Sequence, residues 1–248
     1  MKRLTVIFIV LALSFSLVSC GGNETAGGSD PETTLRSSQT TEMETSASAA
    51  DMSGQSEEAV EEDGTNLLVA YFSYAENADL PDDVDASSSA SIQIWNGETT
   101  GNTGVVAAMI AQTTGADLFS IQTVEKYPDT YDATIDKGQE EQSADARPEL
   151  ANQIENLDNY DVIFLGYPNW WGDMPMAVYS FLDEVDLSGK TIVPFVTSGG
   201  SGFSNTLSVI ENMESGATVQ EGLSIGGSSA TDAQDRVNEW LSSLGYAG

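Results

Sequence analysis

The stretch VIFLGYPNWWGDMPM, residues 162–176, decides the fold of this chain. Its first four residues, 162–165, form a short apolar run that is typical of a strand buried on both faces. Two adjacent tryptophans, Trp170 and Trp171, follow almost at once. Two consecutive side chains on a loop cannot both point inward, so the sequence predicts at least one large aromatic surface at the end of a buried strand.

Strand and helix patterns alternate on both sides of this stretch. Strands are predicted at residues 67–72, 117–124, 162–165, 192–196 and 218–225, and helices at 104–113, 174–185, 205–213 and 233–244. Gly115 is expected to end the first helix, and Trp240 and Leu241 are expected on the inner face of the last. Apolar strands separated by helices predict an α/β fold: a doubly wound, five-stranded parallel sheet with right-handed crossovers.

The N-terminus has the features of a bacterial export signal. Lys2 and Arg3 precede an apolar stretch, residues 4–18, that is short for a membrane span and ends in Ser19-Cys20. This ending resembles the lipobox of bacterial lipoproteins, in which the cysteine is acylated and becomes the first mature residue. The sequence thus predicts a signal peptide at 1–20 and an extracytoplasmic protein anchored to the membrane by a lipid on Cys20. An ordinary secretory signal with an incidental cysteine is the alternative.

The next segment, residues 21–63, contains mainly Ser, Thr, Glu, Gly and Ala. Such a composition cannot bury enough apolar surface to offset the entropy of ordering, which predicts a disordered acidic tether. The remaining residues, 64–248, suffice for one domain with a sizeable core.

The charge and the residue counts exclude several kinds of function. The chain has a formal net charge of −31, no histidine and one cysteine. Nucleic acid is excluded as a partner because almost no basic surface is available for phosphates. Ser-His-Asp and Cys-His catalysis and ordinary zinc or copper sites are excluded as well, and no metal site or catalytic residue is predicted. A serine with a lysine, or a carboxylate pair, stays open, but a cofactor is the expected carrier of any chemistry.

Ligands of doubly wound sheets bind beyond the carboxyl ends of the strands, and the segments there are unusual in this chain. The tryptophan pair follows the third strand, and a hydroxyl- and glycine-rich loop, TSGGSG at 197–202, follows the fourth. Hydroxyls, a glycine and the free amides of a helix N-terminus meet in TGNT at 100–103, which favours an anion site without basic residues. A simple helix cap is the alternative explanation for TGNT.

These motifs resemble the flavodoxin-like family: YFS closing the first strand, TGNT, GYPNWWGDMP and TSGGSG in this order. The resemblance extends from about residue 66 to the C-terminus and implies FMN held noncovalently. It places the FMN phosphate among Ser73, Thr100, Gly101, Asn102 and Thr103. It places the isoalloxazine ring between two loops, formed by Pro168, Asn169, Trp170, Trp171 and Gly172 and by Thr197, Ser198, Gly199 and Gly200.

On this resemblance, one tryptophan stacks near the flavin face, and the other shields the ring edge or packs inward. An electron-rich ring beside the flavin disfavours its negatively charged reduced forms and helps to lower its potential. An insertion at 74–98 departs from compact family members and creates a second candidate phosphate loop at 75–77. Glu76 would repel a phosphate there, so the loop at 100–103 is preferred. Trp95 is expected to anchor the insertion rather than to cover the cofactor.

Two further stretches are similar to parts of flavoproteins. SGAT at 215–218 resembles the core of a covalent FMN attachment site, but it leads directly into the last strand and is interpreted as a turn. The region 129–150 resembles a family segment between the second and third strands. The resemblance implies a helix there, and Arg147-Pro148 is expected to border the substrate side.

The sequence therefore predicts a membrane-tethered flavodoxin-like protein that binds FMN and transfers electrons. It would be a carrier between proteins or a small quinone or nitro reductase. Its acidity permits a basic redox partner protein, although a well-solvated surface explains the charge equally. The alternative is a surface-tethered, non-redox binding protein whose tryptophan pair stacks on a flat ligand such as a sugar.

Overall fold

The computed structural model describes residues 65–81 and 91–247, all within a compact unit, Ala59–Gly248. The predicted signal peptide with Cys20, and the predicted tether, lie outside the described residues. Within residues 65–81 and 91–247, no helix is both long and apolar enough to cross a bilayer.

The described residues form strands and helices in alternation. The strands are β1 (Leu67–Tyr71), β2 (Ile92–Trp95), β3 (Glu98–Gly101), β4 (Asp117–Ser120), β5 (Val162–Pro168), β6 (Thr191–Ser198), β7 (Thr218–Val219) and β8 (Leu223–Gly226). The helices are α1 (Asn102–Thr114), α2 (Tyr131–Ser143), α3 (Met176–Glu184), α4 (Thr206–Met213) and α5 (Gln234–Leu244). Short 3-10 turns lie at Ala75–Asn77, Leu157–Asn159 and Gly227–Asp232.

The main sheet is parallel and has the strand order β4-β1-β5-β6, with β7 and β8 both paired to the outer side of β6. Since β7 and β8 share one position, the order of the five positions along the chain is 2-1-3-4-5. This is one of the two common orders of doubly wound sheets. The predicted five-stranded parallel sheet is confirmed, with its fifth strand split into two pieces.

Pro194 explains the split. The carbonyls of Lys190 and Ile192 accept hydrogen bonds from Thr218 and Gln220, so alternate residues of β6 face the fifth position. Pro194 is next in this alternation and has no N–H to donate. Pairing therefore stops after Ile192 and resumes where Phe195 is opposite Leu223.

The core lies on both faces of the sheet. Side chains of a strand alternate between faces, so Val69 and Phe164 pack with α1 and α5, whereas Leu68 and Ile163 pack with α3. Trp240 and Leu241 are buried in the α1–α5 layer, as predicted. Gly115 ends α1 in the left-handed conformation, at φ 73°, which is also as predicted.

Strand β5 extends to Pro168, beyond the predicted end at residue 165. Gly166 makes this possible because a Cβ atom there would lie 2.0 Å from Cζ of Phe195 on the adjacent strand. The glycine is thus a packing position inside the strand, and β5 carries its pairing with β6 as far as Pro168 and Thr197.

Strand β4 ends at Ser120, four residues before the predicted end. The fully buried side chain of Asn77 takes over the backbone groups that follow. Its Nδ2 donates to the carbonyls of Ile121 (2.9 Å) and Ser73 (3.0 Å), and its Oδ1 accepts from the amide of Thr123 (2.8 Å). An amide side chain therefore replaces the strand ladder and fixes the segment after β1 against the segment after β4.

The insertion after β1 contains an antiparallel hairpin, β2–β3, that the sequence did not predict. Its turn, Asn96-Gly97, has positive φ at both residues (52° and 87°), as a two-residue type I′ hairpin requires. Thr100 and Gly101 consequently belong to a strand, and α1 begins at Asn102. Trp95 is half-buried and packs against the α1–α5 layer, which agrees with its expected anchoring role.

Candidate functional site

A cavity of about 720 Å³ lies beyond the carboxyl ends of β1, β5 and β6, the edge at which doubly wound sheets bind ligands. Its wall combines the hairpin, the start of α1, the first half of α2 and the loops after β5 and β6. The lining residues are Tyr74, Ser91, Ile92, Gln93, Asn102, Asp129, Tyr131, Thr134, Ile135, Gly138, Pro168, Asn169, Trp170, Trp171, Thr197, Ser198, Gly199, Gly227 and Ser228.

The structure brings part of the predicted site to this wall. The predicted residues that line the cavity are Asn102, Pro168, Asn169, Trp170, Trp171, Thr197, Ser198 and Gly199. The predicted residues that lie outside the wall are Ser73, Thr100, Gly101, Thr103, Gly172 and Gly200. The loops after β5 and β6 are thus well represented, whereas only one residue of TGNT reaches the cavity.

Sequence reasoning missed two parts of the wall. The hairpin and the residue before it contribute Ser91, Ile92 and Gln93. The usable signal for the hairpin was Asn96-Gly97 after the alternating residues of IQIW, and the interpretation of the insertion did not use it. Helix α2 and the segment just before it contribute Asp129, Tyr131, Thr134, Ile135 and Gly138, and here the family resemblance of the region 129–150 was a usable signal. The stretch SGAT, which resembles a covalent FMN attachment site, does not line the cavity. Its Thr218 pairs with Thr191 at the amino end of β6, at the edge of the sheet away from the cavity.

The two tryptophans have different environments. Trp170 is half-buried and packs edge-on against Phe72 and Tyr127, with ring centroids 5.5 and 5.3 Å apart. Trp171 is 53% exposed, has φ 56°, and donates from Nε1 to the carbonyl of Ile135 at 3.3 Å. One ring therefore packs inward and the other lies on the rim of the cavity.

Side-chain hydrogen bonds join the loops after β5 and β6. Asn169 donates from Nδ2 to the carbonyl of Gly202 (2.8 Å) and accepts at Oδ1 from the amide of Gly172 (3.0 Å). Ser198 Oγ accepts from the amides of Gly200 (3.2 Å) and Gly202 (3.0 Å). These bonds hold both loops in one arrangement, so this part of the wall is preorganised.

The start of α1 is fixed by the hairpin and by β6. The amide of Asn102 donates to the carbonyl of Ser91 (3.1 Å), and its Oδ1 accepts from Nε2 of Gln93 (2.7 Å). The buried Thr103 hydroxyl lies 2.8 Å from that of Thr197. Thr103 therefore attaches α1 to β6, while Asn102 presents its side chain to the cavity wall.

An acidic side chain lies beside this helix start. The Thr100 hydroxyl donates to Oε1 of Glu76 at 2.6 Å, and a Cβ atom on Gly104 would lie 2.6 Å from that same oxygen. The Ser73 hydroxyl is buried beneath Gly101 and has no hydrogen-bond partner among the described residues. Glu76, which is expected to repel a phosphate, thus lies next to the loop at 100–103 that the sequence favours for the phosphate.

The cavity wall carries no positive side chain among the described residues, and Asp129 is its one carboxylate. The nearby basic residues are engaged elsewhere. Lys137 pairs with Glu125 and Glu141, each at 3.5 Å, and Arg147 pairs with Asp145 and Asp183. Within residues 65–81 and 91–247, no group of histidine, cysteine and carboxylate side chains could hold a metal ion.

Behind Trp170 lies a buried tyrosine–carboxylate pair. The Tyr127 hydroxyl donates to Oε2 of Glu141 at 2.8 Å, and Glu141 is 7% exposed. Burial raises the pKa of Glu141 above its ordinary value, although the hydrogen bond from Tyr127 and the charge of Lys137 oppose this effect. Burial and the charge of Glu141 also raise the pKa of Tyr127.

This raised pKa predicts a pH-dependent contribution to stability. A carboxyl group whose pKa is higher in the folded state contributes stability fully below its unfolded pKa, near 4.5, and loses it as pH rises through the folded value. In Glu141→Gln the group cannot ionise, so the free energy of unfolding of this variant should improve relative to wild type as pH rises above 4.5. Urea unfolding at several pH values measures the difference.

The exposed neighbour Glu140 supplies the matched control, since Glu140→Gln removes the same charge without removing a buried group. Parallel pH profiles for Glu141→Gln and Glu140→Gln would contradict the assignment of the raised pKa to Glu141.

The chain is similar to a known family model and to several solved structures. The family model described as flavodoxin matches residues 94–244, which is more than half of the chain. No curated protein sequence matches the chain.

Among solved structures, a protein of Bacteroides eggerthii named as a flavoprotein is 25% identical, with a TM-score of 0.56 over 73% of this chain and 99% of that one. A protein of Bacteroides uniformis, also named as a flavoprotein, is 27% identical, with a TM-score of 0.54 over 72% and 99%. The family match includes α1 through α5 with the loops after β5 and β6, and the two structures are similar to this chain in fold. The chain belongs to the flavodoxin family.

Proposed function

We propose that this domain binds FMN noncovalently in the cavity and transfers electrons, as a carrier between proteins or as a small quinone or nitro reductase. The observation that carries the proposal is the meeting of three loops, after β1, β5 and β6, around one preorganised cavity at the carboxyl edge of the sheet. Membership of the flavodoxin family supports a flavin as the ligand.

The residues present fit FMN in the size of the cavity and in the surfaces that they offer. A cavity of about 720 Å³ falls within the range of roughly 300–1,000 Å³ that small-molecule and cofactor sites occupy. The tryptophan pair and Tyr74 offer apolar surface for a flat ring. Gly199 has open space where a side chain would begin, so the backbone after β6 leaves room for a ligand.

The phosphate would be held at the start of α1. The first amides of a helix carry a partial positive charge and favour an anion. Asn102 adds a side-chain donor because its Oδ1 is engaged by Gln93, which leaves Nδ2 to face the ligand. The unpartnered Ser73 hydroxyl lies buried beneath Gly101, behind this helix start and outside the cavity wall, so Asn102 is the side-chain donor that reaches the cavity. The described cavity wall holds no lysine or arginine, so the binding energy would come from short hydrogen bonds.

When bound, FMN supplies one- and two-electron chemistry that side chains cannot supply. The chain contributes position and environment. Trp170 forms a rigid wall, since Phe72 and Tyr127 pack on its edges, and Trp171 covers the cavity rim. Asn169 and Ser198 hold the two ring-side loops at fixed separation.

We also propose that Cys20 carries a lipid that anchors the protein to the outer side of the bacterial cell membrane, with residues 21–63 as a tether. The apolar stretch that ends on the only cysteine supports this proposal. Metabolic labelling with a fatty acid should mark the wild-type chain and not Cys20→Ala. A mature wild-type chain that takes up no label and is released from membranes would contradict it.

The absorbance spectrum of the purified protein tests the central proposal, followed by titration of the flavin-free chain with FMN and with riboflavin. FMN should bind and lose fluorescence, and riboflavin, which lacks the phosphate, should bind at least ten-fold more weakly. No flavin binding, combined with binding of a sugar, would instead favour a non-redox binding protein that uses the exposed Trp171 ring.

A further inference from the structure

On the α2 side of the cavity, two exposed aromatic rings share a wall with a carboxylate, and the phosphate-bearing cofactor does not account for that negative charge. Trp171 donates to the carbonyl of Ile135, and Tyr131 lies one helical turn before Ile135, on the same face of α2. The Trp171 and Tyr131 side chains are 53% and 60% exposed, so both rings remain open to solvent at the rim of the cavity. Asp129, two residues before Tyr131, lies in the same wall.

We infer that Asp129, Tyr131 and Trp171 form a subsite, here called the α2 subsite, for a flat aromatic cation or for an aromatic molecule that bears a cationic group. Within the proposed function, on which this inference rests, such a molecule is the electron acceptor. Exposed aromatic faces attract cations through their quadrupoles, and a carboxylate beside them adds a full negative charge.

The sign of the local field follows from the groups that face this subsite. The N-terminus of α2 carries roughly half a positive charge, which favours anions. Asp129 in the cavity wall carries a full negative charge, and Asp132, outside the wall in the first turn of α2, partly neutralises the helix dipole. Lys137, the basic residue of α2, is shared between Glu125 and Glu141. The carboxylates therefore outweigh the helix dipole, and the α2 subsite is negative.

The surrounding protein strengthens the preference of the α2 subsite for cations. The chain has a formal net charge of −31, and no lysine or arginine is found in the described cavity wall. At the α2 subsite an anionic aromatic molecule would meet this field without a positive partner for its charge, unlike the FMN phosphate at the start of α1. The α2 subsite consequently selects cationic and neutral acceptors over anionic ones, and it disfavours a reduced nicotinamide dinucleotide, whose pyrophosphate is anionic, as the direct electron donor.

Two naphthoquinones of similar size test the inference, one with a trimethylammonium group and one with a sulfonate. Calorimetric titration of the full chain, both as purified and with FMN added, measures their binding. Wild type should bind the cationic quinone at least about ten-fold more tightly at low ionic strength. The preference should decrease with added salt, because these charges are partly exposed and are screened.

Asp129→Asn should reduce the cationic preference by about three-fold or more, since an exposed charge pair contributes up to about five-fold in binding. Asp158→Asn is the matched control, because it removes the same charge from an exposed position outside the cavity wall. Trp171→Ala should weaken binding of both quinones, and of the cationic one more strongly. In FMN-loaded, chemically reduced protein, the rate of two-electron, two-proton reduction of each quinone to its quinol should show the same preference.

The outcomes separate this inference from the proposed function. Binding of FMN with no preference between the quinones, or with equal effects of Asp129→Asn and Asp158→Asn, would overturn the α2 subsite alone. Cation preference that depends on Asp129 in a chain that binds no flavin would support the subsite and contradict the proposed function. If neither quinone binds under any condition, the subsite is wrong.

Discussion

Asn102→Asp should weaken the binding of FMN by more than about 100-fold while leaving the fold intact. The substitution places a carboxylate at the first residue of α1, where the phosphate of FMN is proposed to bind. Two charges about 4 Å apart repel by about 4 kcal/mol at the effective dielectric near a protein surface, and a phosphate monoester carries more than one charge. A loss of about 3 kcal/mol already corresponds to more than 100-fold in affinity.

This variant is informative because the side-chain hydrogen bond that Asn102 makes in the free protein should survive it. Aspartate keeps an acceptor for Gln93, whose Nε2 lies 2.7 Å from Oδ1 of Asn102. A carboxylate in the first turn is also favourable toward the helix dipole. Fluorescence titration with riboflavin supplies the internal control, since a ligand without a phosphate should bind Asn102→Asp and wild type with equal affinity.

Salt supplies a second control for the same site. Hydrogen bonds at a partly buried helix start are little affected by ions, whereas the repulsion from remote acidic groups is screened. The affinity of wild type for FMN should therefore hold or rise with salt, and the Asn102→Asp penalty should shrink. Equal loss of FMN and riboflavin in Asn102→Asp would show that the phosphate lies elsewhere or that the cavity has collapsed.

The sequence predicted those parts of the site that follow directly from buried strands. The loops after β5 and β6 are continuous in sequence with apolar runs, so locating the strand also locates the loop. Trp170, Asn169 and Ser198 were placed in this way, and all three line the cavity. The different positions of the two tryptophans, Trp170 packed inward and Trp171 on the rim, follow from their being neighbours in the sequence.

The remainder of the wall depends on contacts between segments distant in sequence. Asn77 satisfies backbone groups of Ile121 and Thr123 across more than forty residues, and no local pattern indicates such a bond. The hairpin β2–β3 makes Thr100 and Gly101 part of a strand that leads directly into α1. The Asn96-Gly97 turn is a local signal for this hairpin, but the bond between the Thr103 and Thr197 hydroxyls joins residues 94 positions apart. Local periodicity does not indicate that bond.

Gly166 shows the same limit within a single strand, because a glycine after an apolar run predicts its end when only the local pattern is considered. In the structure, the fully buried Phe195 ring of β6 occupies the space beside Gly166, so the strand continues at a position where only a hydrogen fits. The glycine is required by a neighbour that lies 29 residues further along the chain. A substitution at this position should therefore have a large effect.

Gly166→Ala should lower the free energy of unfolding by about 3 kcal/mol, at the upper end of the usual cost of overpacking a core. The added methyl would lie 2.0 to 2.6 Å from three atoms of the Phe195 ring, and β5 and β6 are held in register by their ladder, so neither strand can move away freely. For a domain of this size the loss corresponds to a decrease in Tm of about 6–12 °C.

Phe195→Leu should recover part of the lost stability in the double variant, since the smaller side chain leaves room for the methyl group that Gly166→Ala adds. A double-mutant cycle by urea unfolding measures this coupling. Strictly additive effects of Gly166→Ala and Phe195→Leu would show that the glycine is required for another reason, and that the length of β5 does not depend on this contact.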